Sequence, residues 1–344
     1  MAHRNFSMIE YFNRRAESWM PRLTFRGQTE ADWERWRGEA LEKLLELLGD
    51  FPESVDLAPE VLYSIEDDGL VRERIVFDSE EYMSVPCIVL KPADLPNDGS
   101  APAILCSHGH GPFGKEPVSG NASSGALREN MDRHNYNYAE QMARRGFLTI
   151  SPDLRCFGER ADGTDPYPGR DRCNVHFVRG AILGVYTLTL NIWDMMRCID
   201  YLEGRPEVDP NRIGMMGLSQ GGTMTTFTAA VDERIKAADV MGYVNPWAGF
   251  GVRDADFCGS QIVPEIYRYL DTHDIAGLIA PRPLLIEMGV HDTTFPIEDL
   301  LKGYDGVKPI YAAAGASNEL WEDIHPGGHA FASNKAFDFF EKYL

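Results

Sequence analysis

Apolar positions along the chain fall into two periods. Over residues 29–49, Trp33, Trp36, Ala40, Leu41, Leu44 and Leu48 recur at the spacing of one helix face. Thr29 with Asp32 three residues on matches a capping box, and Gly49 ends the run. Residues 1–60 therefore read as a helical extension. A segment this short buries little core of its own, so it is expected to pack on the main body. From Val71 the apolar runs shorten to strand length. Segments 72–78 and 84–91 predict an antiparallel pair, halted at Lys91-Pro92. Strands follow at 102–107, 147–152, 212–218, 235–241, 283–288 and 308–313. Helices alternate with them at 135–145, 181–203, 221–230, 297–306 and 334–343, with a short one at 264–270. This order predicts an α/β fold over residues 61–344: a mostly parallel central sheet with helices on both faces. Helix 181–203 is apolar nearly all round and is expected to be buried. Connections 109–134, 153–179 and 242–282 exceed ordinary loop length and are expected to wall a site.

Charge narrows the function. The chain has 33 basic and 53 acidic residues, a formal net of −20. Such a surface repels phosphate backbones and anionic bilayers, which argues against nucleic acid and membranes as partners. The longest apolar stretch, 181–199, is broken by Asn191, Asp194 and Arg197 and is unsuited to spanning a bilayer. The first seven residues contain no apolar run of the kind a secretion signal needs. Six cysteines, at 87, 106, 156, 173, 198 and 258, are scattered without a Cys-x-x-Cys pair. They read as reduced core thiols in a cytoplasmic protein, with no cofactor expected. The partner expected is a small-molecule ester, and a homo-oligomer stays open.

Gly217-Leu218-Ser219-Gln220-Gly221-Gly222 carries the strongest chemical signal. Gly-x-Ser-x-Gly between an apolar strand and a helix is a nucleophile elbow, in which small residues two before and two after the serine permit a tight turn. Ser107-His108-Gly109-His110-Gly111 ends an earlier strand, where a backbone N–H can aim at the same oxygen as the N–H of Gln220. The oxyanion hole is therefore assigned to the amides of His110 and Gln220. A nucleophilic serine needs a base, and the base an orienting carboxylate, in the chain order Ser, acid, His. Asp292 follows a late strand, and only His325 and His329 lie beyond it. Pro326 restricts His325 to extended backbone, whereas His329 follows two glycines, so Ser219, Asp292 and His329 form the expected triad. His108, Arg155, Tyr243 and Trp247 are the candidate substrate contacts. His108 and His110, at i and i+2, could chelate a metal, yet no third ligand stands out and none is expected. The long connections carry polar and aromatic residues (Asn121, Arg128, Tyr167, Arg170 and Phe257 among them) and lack the aliphatic walls that a long acyl chain requires.

Taken together, the elbow at 217–222, His108-Gly109-His110, Asp153-Leu154-Arg155 with Gly158, and Ala280-Pro281-Arg282-Pro283 leading to Asp292 resemble the α/β-hydrolase superfamily. Within it they are similar to the acetyl xylan esterase and dienelactone hydrolase-like branch. The resemblance covers roughly residues 70–344. It implies the α/β-hydrolase fold and an acyl-enzyme mechanism removing a short, acetyl-like group from a carbohydrate or other polar alcohol. This chain has His329-Ala330 where the sugar deacetylases have His-Glu, and Ser219 where dienelactone hydrolases have cysteine. A prolyl-oligopeptidase-like peptidase or a C–C bond hydrolase uses the same elbow and order. The former normally carries a propeller that residues 1–60 are too few to build.

Overall fold

The computed structural model describes residues 4–162 and 169–344. Its strands are β1 (Glu60–Asp67), β2 (Leu70–Glu80), β3 (Met83–Pro92), β4 (Ala101–Ser107), β5 (Leu148–Pro152), β6 (Val208–Leu218), β7 (Ile235–Met241), β8 (Leu284–Gly289) and β9 (Leu320–His325). They form one nine-stranded sheet in the order β1-β2-β3-β5-β4-β6-β7-β8-β9. Pairing is antiparallel from β1 to β5 and parallel from β5 through β9. Strands β4, β5, β7 and β8 and residues 213–218 of β6 are buried nearly throughout, as crossover helices on both faces demand, whereas β9, at the sheet edge, is half exposed. Ser219 sits where β6 hands over to helix Gln220–Val231, at the carboxyl edge where open α/β sheets bind ligands.

The structure corrects several expectations about elements. Residues 308–313 are not a strand; they end helix Ile297–Ala313. Leu300, Tyr304, Val307 and Tyr311 are buried at helical spacing there, and that burial outweighs Pro309 inside the helix. The last strand is instead β9. Helix 181–203 is two helices, Arg172–Leu183 and Thr187–Glu203, bent by 97°. Gly184, at φ 74°, caps the first in the left-handed region. Val185 O would lie 2.0 Å from a Cβ on Gly180, so glycine lets this corner close. Among the described residues no single helix is long and apolar enough to cross a membrane. The long connections also hold structure: helix Gly125–His134, a π-helical turn at Trp247–Arg253, and helices Ile266–Tyr269 and Thr272–Gly277.

Helices Met8–Glu17 and Glu30–Leu48 precede the sheet, and residues 49–59 are not helical. Thr29 and Asp32 exchange the two capping-box hydrogen bonds, each at 3.2 Å. Trp36, Ala40, Leu44 and Leu48 join the main core, and Gly49 ends the helix. Polar contacts fix its seat: Thr189 Oγ1 donates to Leu48 O at 2.6 Å, and Phe25 N to Asp274 Oδ1 at 3.0 Å.

Three acids lie buried on one sheet face. Glu287 is in register with Asp323 on one side and Met241 on the other, two residues beyond Asp239. Ala332 N donates to Glu287 at 2.7 Å, and Asn334 Nδ2 to Asp323 at 3.3 Å. Burial, then repulsion from Asp323, pushes Glu287 up to about 8; burial and Glu287 push Asp239 far above the carboxylate range. Glu287 therefore binds a proton in the folded state that the unfolded chain releases near pH 4.3. A raised folded pKa gives stability that is full at acid pH and lost as pH rises toward about 8. Urea midpoints should fall between about pH 5 and pH 8, and Glu287→Gln should flatten that slope.

Candidate active site

Ser219 has φ 63° and ψ −118°, a conformation that costs a non-glycine residue roughly 1–3 kcal/mol. The turn exists because its flanks have no Cβ. A Cβ on Gly217 would lie 2.4 Å from Gly221 C and O, and one on Gly221 would lie 2.1 Å from Ser107 O. Ser219 N donates to Met241 O at 2.9 Å, and Ser219 O accepts the first helical bond from Thr223 N at 3.0 Å. The serine thus stands at a helix N-terminus, beside unpaired amides and the positive end of the helix dipole.

The loop after β4 is held from below by His108. Its Nδ1–H donates to Gly109 O at 2.7 Å, and its Nε2 accepts from Leu154 N at 3.0 Å. Acceptance at Nε2 requires the neutral ring, and burial lowers its pKa in the same sense. Gly109 N donates to Tyr136 Oη at 2.5 Å. A Cβ on Gly109 would come within 2.8 Å of Leu218 O and 3.1 Å of Ser219 Cβ, so this loop touches the elbow. Among the described residues no hydrogen bond occupies the N–H of His110 or of Gln220.

Asp292 leaves β8 in a turn that it fixes itself. Its Oδ1 accepts from Thr294 N at 2.7 Å and Phe295 N at 2.8 Å, and its Oδ2 meets His329 Nδ1 at 2.7 Å. Since the carboxylate only accepts, Nδ1 carries the proton and Nε2 is left with a lone pair. His329 is stacked on Phe295, ring centroids 5.5 Å apart, and His134 Nδ1 donates to its carbonyl at 2.6 Å. His325 ends β9 differently: its Nδ1 accepts from Gly327 N at 3.2 Å, and its carbonyl accepts from Val290 N at 2.9 Å. It shapes the loop.

Ser219 and His329 open into a cavity of about 480 Å³. One wall is aromatic: Phe250, Phe257 and Phe295, with Phe250 stacked on Phe295 at 4.1 Å. The remainder is mostly polar, with Asn130, His134, Asp171, Asn174, Asp256 and Gln261. None of the four candidate substrate contacts lines it. His108 is buried beneath the loop with both ring nitrogens engaged. Arg155 is buried on Asp194, at 2.9 Å from Nε and from Nη2, and on Glu80 at 2.6 Å. Tyr243 and Trp247 are buried behind Phe257, ring centroids 6.1 and 5.0 Å away. Of the loop residues singled out in sequence, Phe257 faces the cavity, whereas Asn121 turns to Glu116 at 2.6 Å and Arg128 to Ala122 O at 3.3 Å. Tyr167 lies outside the described residues. His134, Tyr136 and Phe295 were missed; each stands within a few residues of a flagged motif or helix start, which is the signal that could have found them.

The chain belongs to the Abhydrolase family, whose model matches residues 4–305. It is 28% identical to YtaP of Bacillus subtilis (strain 168), named a putative hydrolase, over 90% of this chain and 100% of YtaP. It is 25% identical to the uncharacterized peptidase YuxL of the same organism, over 80% of this chain and 39% of YuxL. With the acetyl esterase Axe7A of Xylanibacter ruminicola it shares 28% identity, over 58% of this chain and 44% of Axe7A. Thus the chain spans all of YtaP but less than half of the other two. A solved structure from Bacteroides fragilis NCTC 9343, titled a putative acetyl xylan esterase, superposes with a TM-score of 0.76 at 18% identity. That alignment covers 97% of this chain and 85% of the other and shows the shared fold.

Asp194 is fully buried; burial opposes its charge, but Arg160 and Arg155 hold it down at about 2. Arg155→Ala leaves Asp194 and Glu80 short of a partner and should cost about 3–5 kcal/mol in urea unfolding. Because Arg155 does not face the cavity, KM for a short ester should stay within about twofold in the protein that remains folded. A large rise in KM without loss of stability would restore it as a substrate contact.

Proposed function

We propose that this protein is a serine carboxylic ester hydrolase that removes a short, acetyl-like acyl group from a carbohydrate or another polar alcohol. Ser219 Oγ attacks the acyl carbon while His329 Nε2 takes its proton. Asp292 holds the imidazolium, and the amides of His110 and Gln220 receive the oxyanion. His329 then returns the proton to the leaving alcohol, and water releases the acyl-enzyme by the same steps reversed. The observation that carries the reading is the 2.7 Å contact of buried Asp292 with His329, which lines the same cavity as Ser219 on its strained turn. The names of Axe7A and of the superposed structure support the acetyl group. The divided cavity supports it too, with a compact aromatic wall that packs on His329 through Phe295 and polar groups around the rest. We place the enzyme in the cytoplasm, where the six free, buried thiols would stay reduced.

Ser219→Ala should leave the fold intact and lower kcat by roughly 10⁴-fold or more, as loss of a nucleophile in a triad does. His329→Gln should be comparably damaging, while His325→Gln should retain most turnover; loss only at His325 refutes the assignment. Among p-nitrophenyl esters from acetate to decanoate, kcat/KM should be highest for the shortest, and acetylated sugars should be deacetylated. Activity rising with chain length would refute the short-acyl reading, and preference for a peptidyl anilide would move the protein to the peptidases.

A further inference from the structure

On the cavity rim, the sequence motif that suggested a His108–His110 chelate is split by the fold: His108 goes beneath its loop and His110 stands at the rim. There His110 meets Cys173, from the start of helix Arg172–Leu183, and Cys258, from the segment after the π-helical turn. The imidazole nitrogen and the two sulfurs all lie within 4.8 Å of one another. His110 Nε2 is 3.9 Å from Cys173 Sγ and 4.0 Å from Asp171 Oδ2. We propose that His110, Cys173 and Cys258 bind a zinc(II) ion, with Asp171 the carboxylate in reach of the fourth position.

The spacing fits. Tetrahedral zinc, with bonds of about 2.0–2.1 Å to nitrogen and about 2.3 Å to sulfur, places nitrogen and sulfur about 3.6 Å apart and two sulfurs about 3.8 Å apart. The side chains need to close by only a few tenths of an ångström at the His110–Cys173 edge. Two thiolates and an imidazole select zinc over magnesium or calcium, which require oxygen donors. A second observation is independent of the spacing: two hydrogen-bond donors reach one sulfur, which also lies 4.0 Å from the acceptor Gln220 Oε1. Gln261 Nε2 donates to Cys258 Sγ at 3.5 Å. Ser260 Oγ, which accepts from Gln220 Nε2 at 2.9 Å, has its own hydrogen free for Cys258 Sγ, also 2.9 Å away. N–H and O–H groups aimed at a sulfur stabilise its anion and tune it as a ligand. The ion has a way in, because His110, Asp171 and Cys258 line the open cavity while Cys173 closes the back.

Three chain segments far apart in sequence meet at this point, and the ion would tie them together. Asn174 Oδ1 accepts from Gly259 N at 2.9 Å, so two of the three are already bridged beside the ligands. The proposed site therefore braces the cavity wall; it does not replace the serine chemistry.

The test is metal binding by the full chain, purified with reductant, stripped with chelator and titrated with cobalt(II). Expected is saturation at an equimolar amount, with intense visible bands of four-coordinate cobalt and a near-ultraviolet thiolate-to-cobalt charge-transfer band. Zinc should displace the cobalt and raise the melting temperature in proportion to the logarithm of its free concentration. Cys173→Ser and Cys258→Ser should each weaken the charge-transfer band and lose most of the zinc-dependent shift, with circular dichroism confirming that they fold. Wild-type protein that takes up cobalt without the charge-transfer band, or no cobalt at all, overturns the proposal. So does a band unchanged in both variants, or a Cys173–Cys258 disulfide in freshly purified, reduced-handled protein.

Discussion

The left-handed backbone of Ser219 survives only because two chain segments touch where no side chain intervenes. Gly221 lies against Ser107 O at the end of β4, Gly217 lies against Gly221, and Gly109 lies against Leu218 O and Ser219 Cβ. The contacts are mutual, so the elbow and the loop after β4 form one packed unit. This matters more than the local strain of roughly 1–3 kcal/mol. Electrostatic stabilisation of an oxyanion depends on donors that are fixed before the charge develops. Two amides from separate loops can be fixed relative to one another only if the loops are in contact. The glycines supply that contact, and Gly109 N is itself engaged by Tyr136 Oη.

A second layer of charge holds this unit from behind. Asp153, fully buried, accepts from Lys115 N at 2.8 Å and Glu159 N at 3.0 Å and pairs with Lys115 Nζ at 2.7 Å. A Cβ on Gly114 or Gly158 would lie 2.0 or 2.1 Å from its carboxylate, so both glycines let the chain wrap around it. The next residue's amide holds His108, and the one after that, Arg155, anchors on Asp194. The Asp-Leu-Arg segment with its following glycine therefore fastens the loop after β5 to the loop after β4. Buried ions are costly, and this arrangement is bearable because each carboxylate oxygen has a donor.

Sequence alone revealed the fold class and the strand–turn–helix setting of Ser219, because each depends on local chemistry: a glycine pattern, a strand-ending turn, a period. The capping box at Thr29 and Asp32 was legible for the same reason. What sequence did not reveal was decided by distant contacts. Pro309 and Gly306 look like helix breakers, but the burial of Tyr304, Val307 and Tyr311 against the sheet outweighs them. β1, exposed along its whole length, has no alternation to mark it, and its pairing with β2 is what makes it a strand. Arg155, Tyr243 and Trp247 sit in connections that do reach the site, and residue type cannot tell a cavity wall from the layer supporting it. Phe257 and Trp247 are ten residues apart and touch, yet only Phe257 faces inward.

The charge of the cavity has a consequence for an ester hydrolase that the charge of the surface alone does not. Asp171 and Asp256 line it, and no Lys or Arg is among its described lining residues, in a chain of net charge −20. A neutral ester feels little of that field on the way in. Hydrolysis then creates a carboxylate inside it. Within a Debye length of about 8 Å at physiological salt the repulsion is not screened away, and a partly enclosed, low-dielectric space strengthens it. The same groups that leave substrate binding to shape and hydrogen bonding thus oppose retention of the acid product.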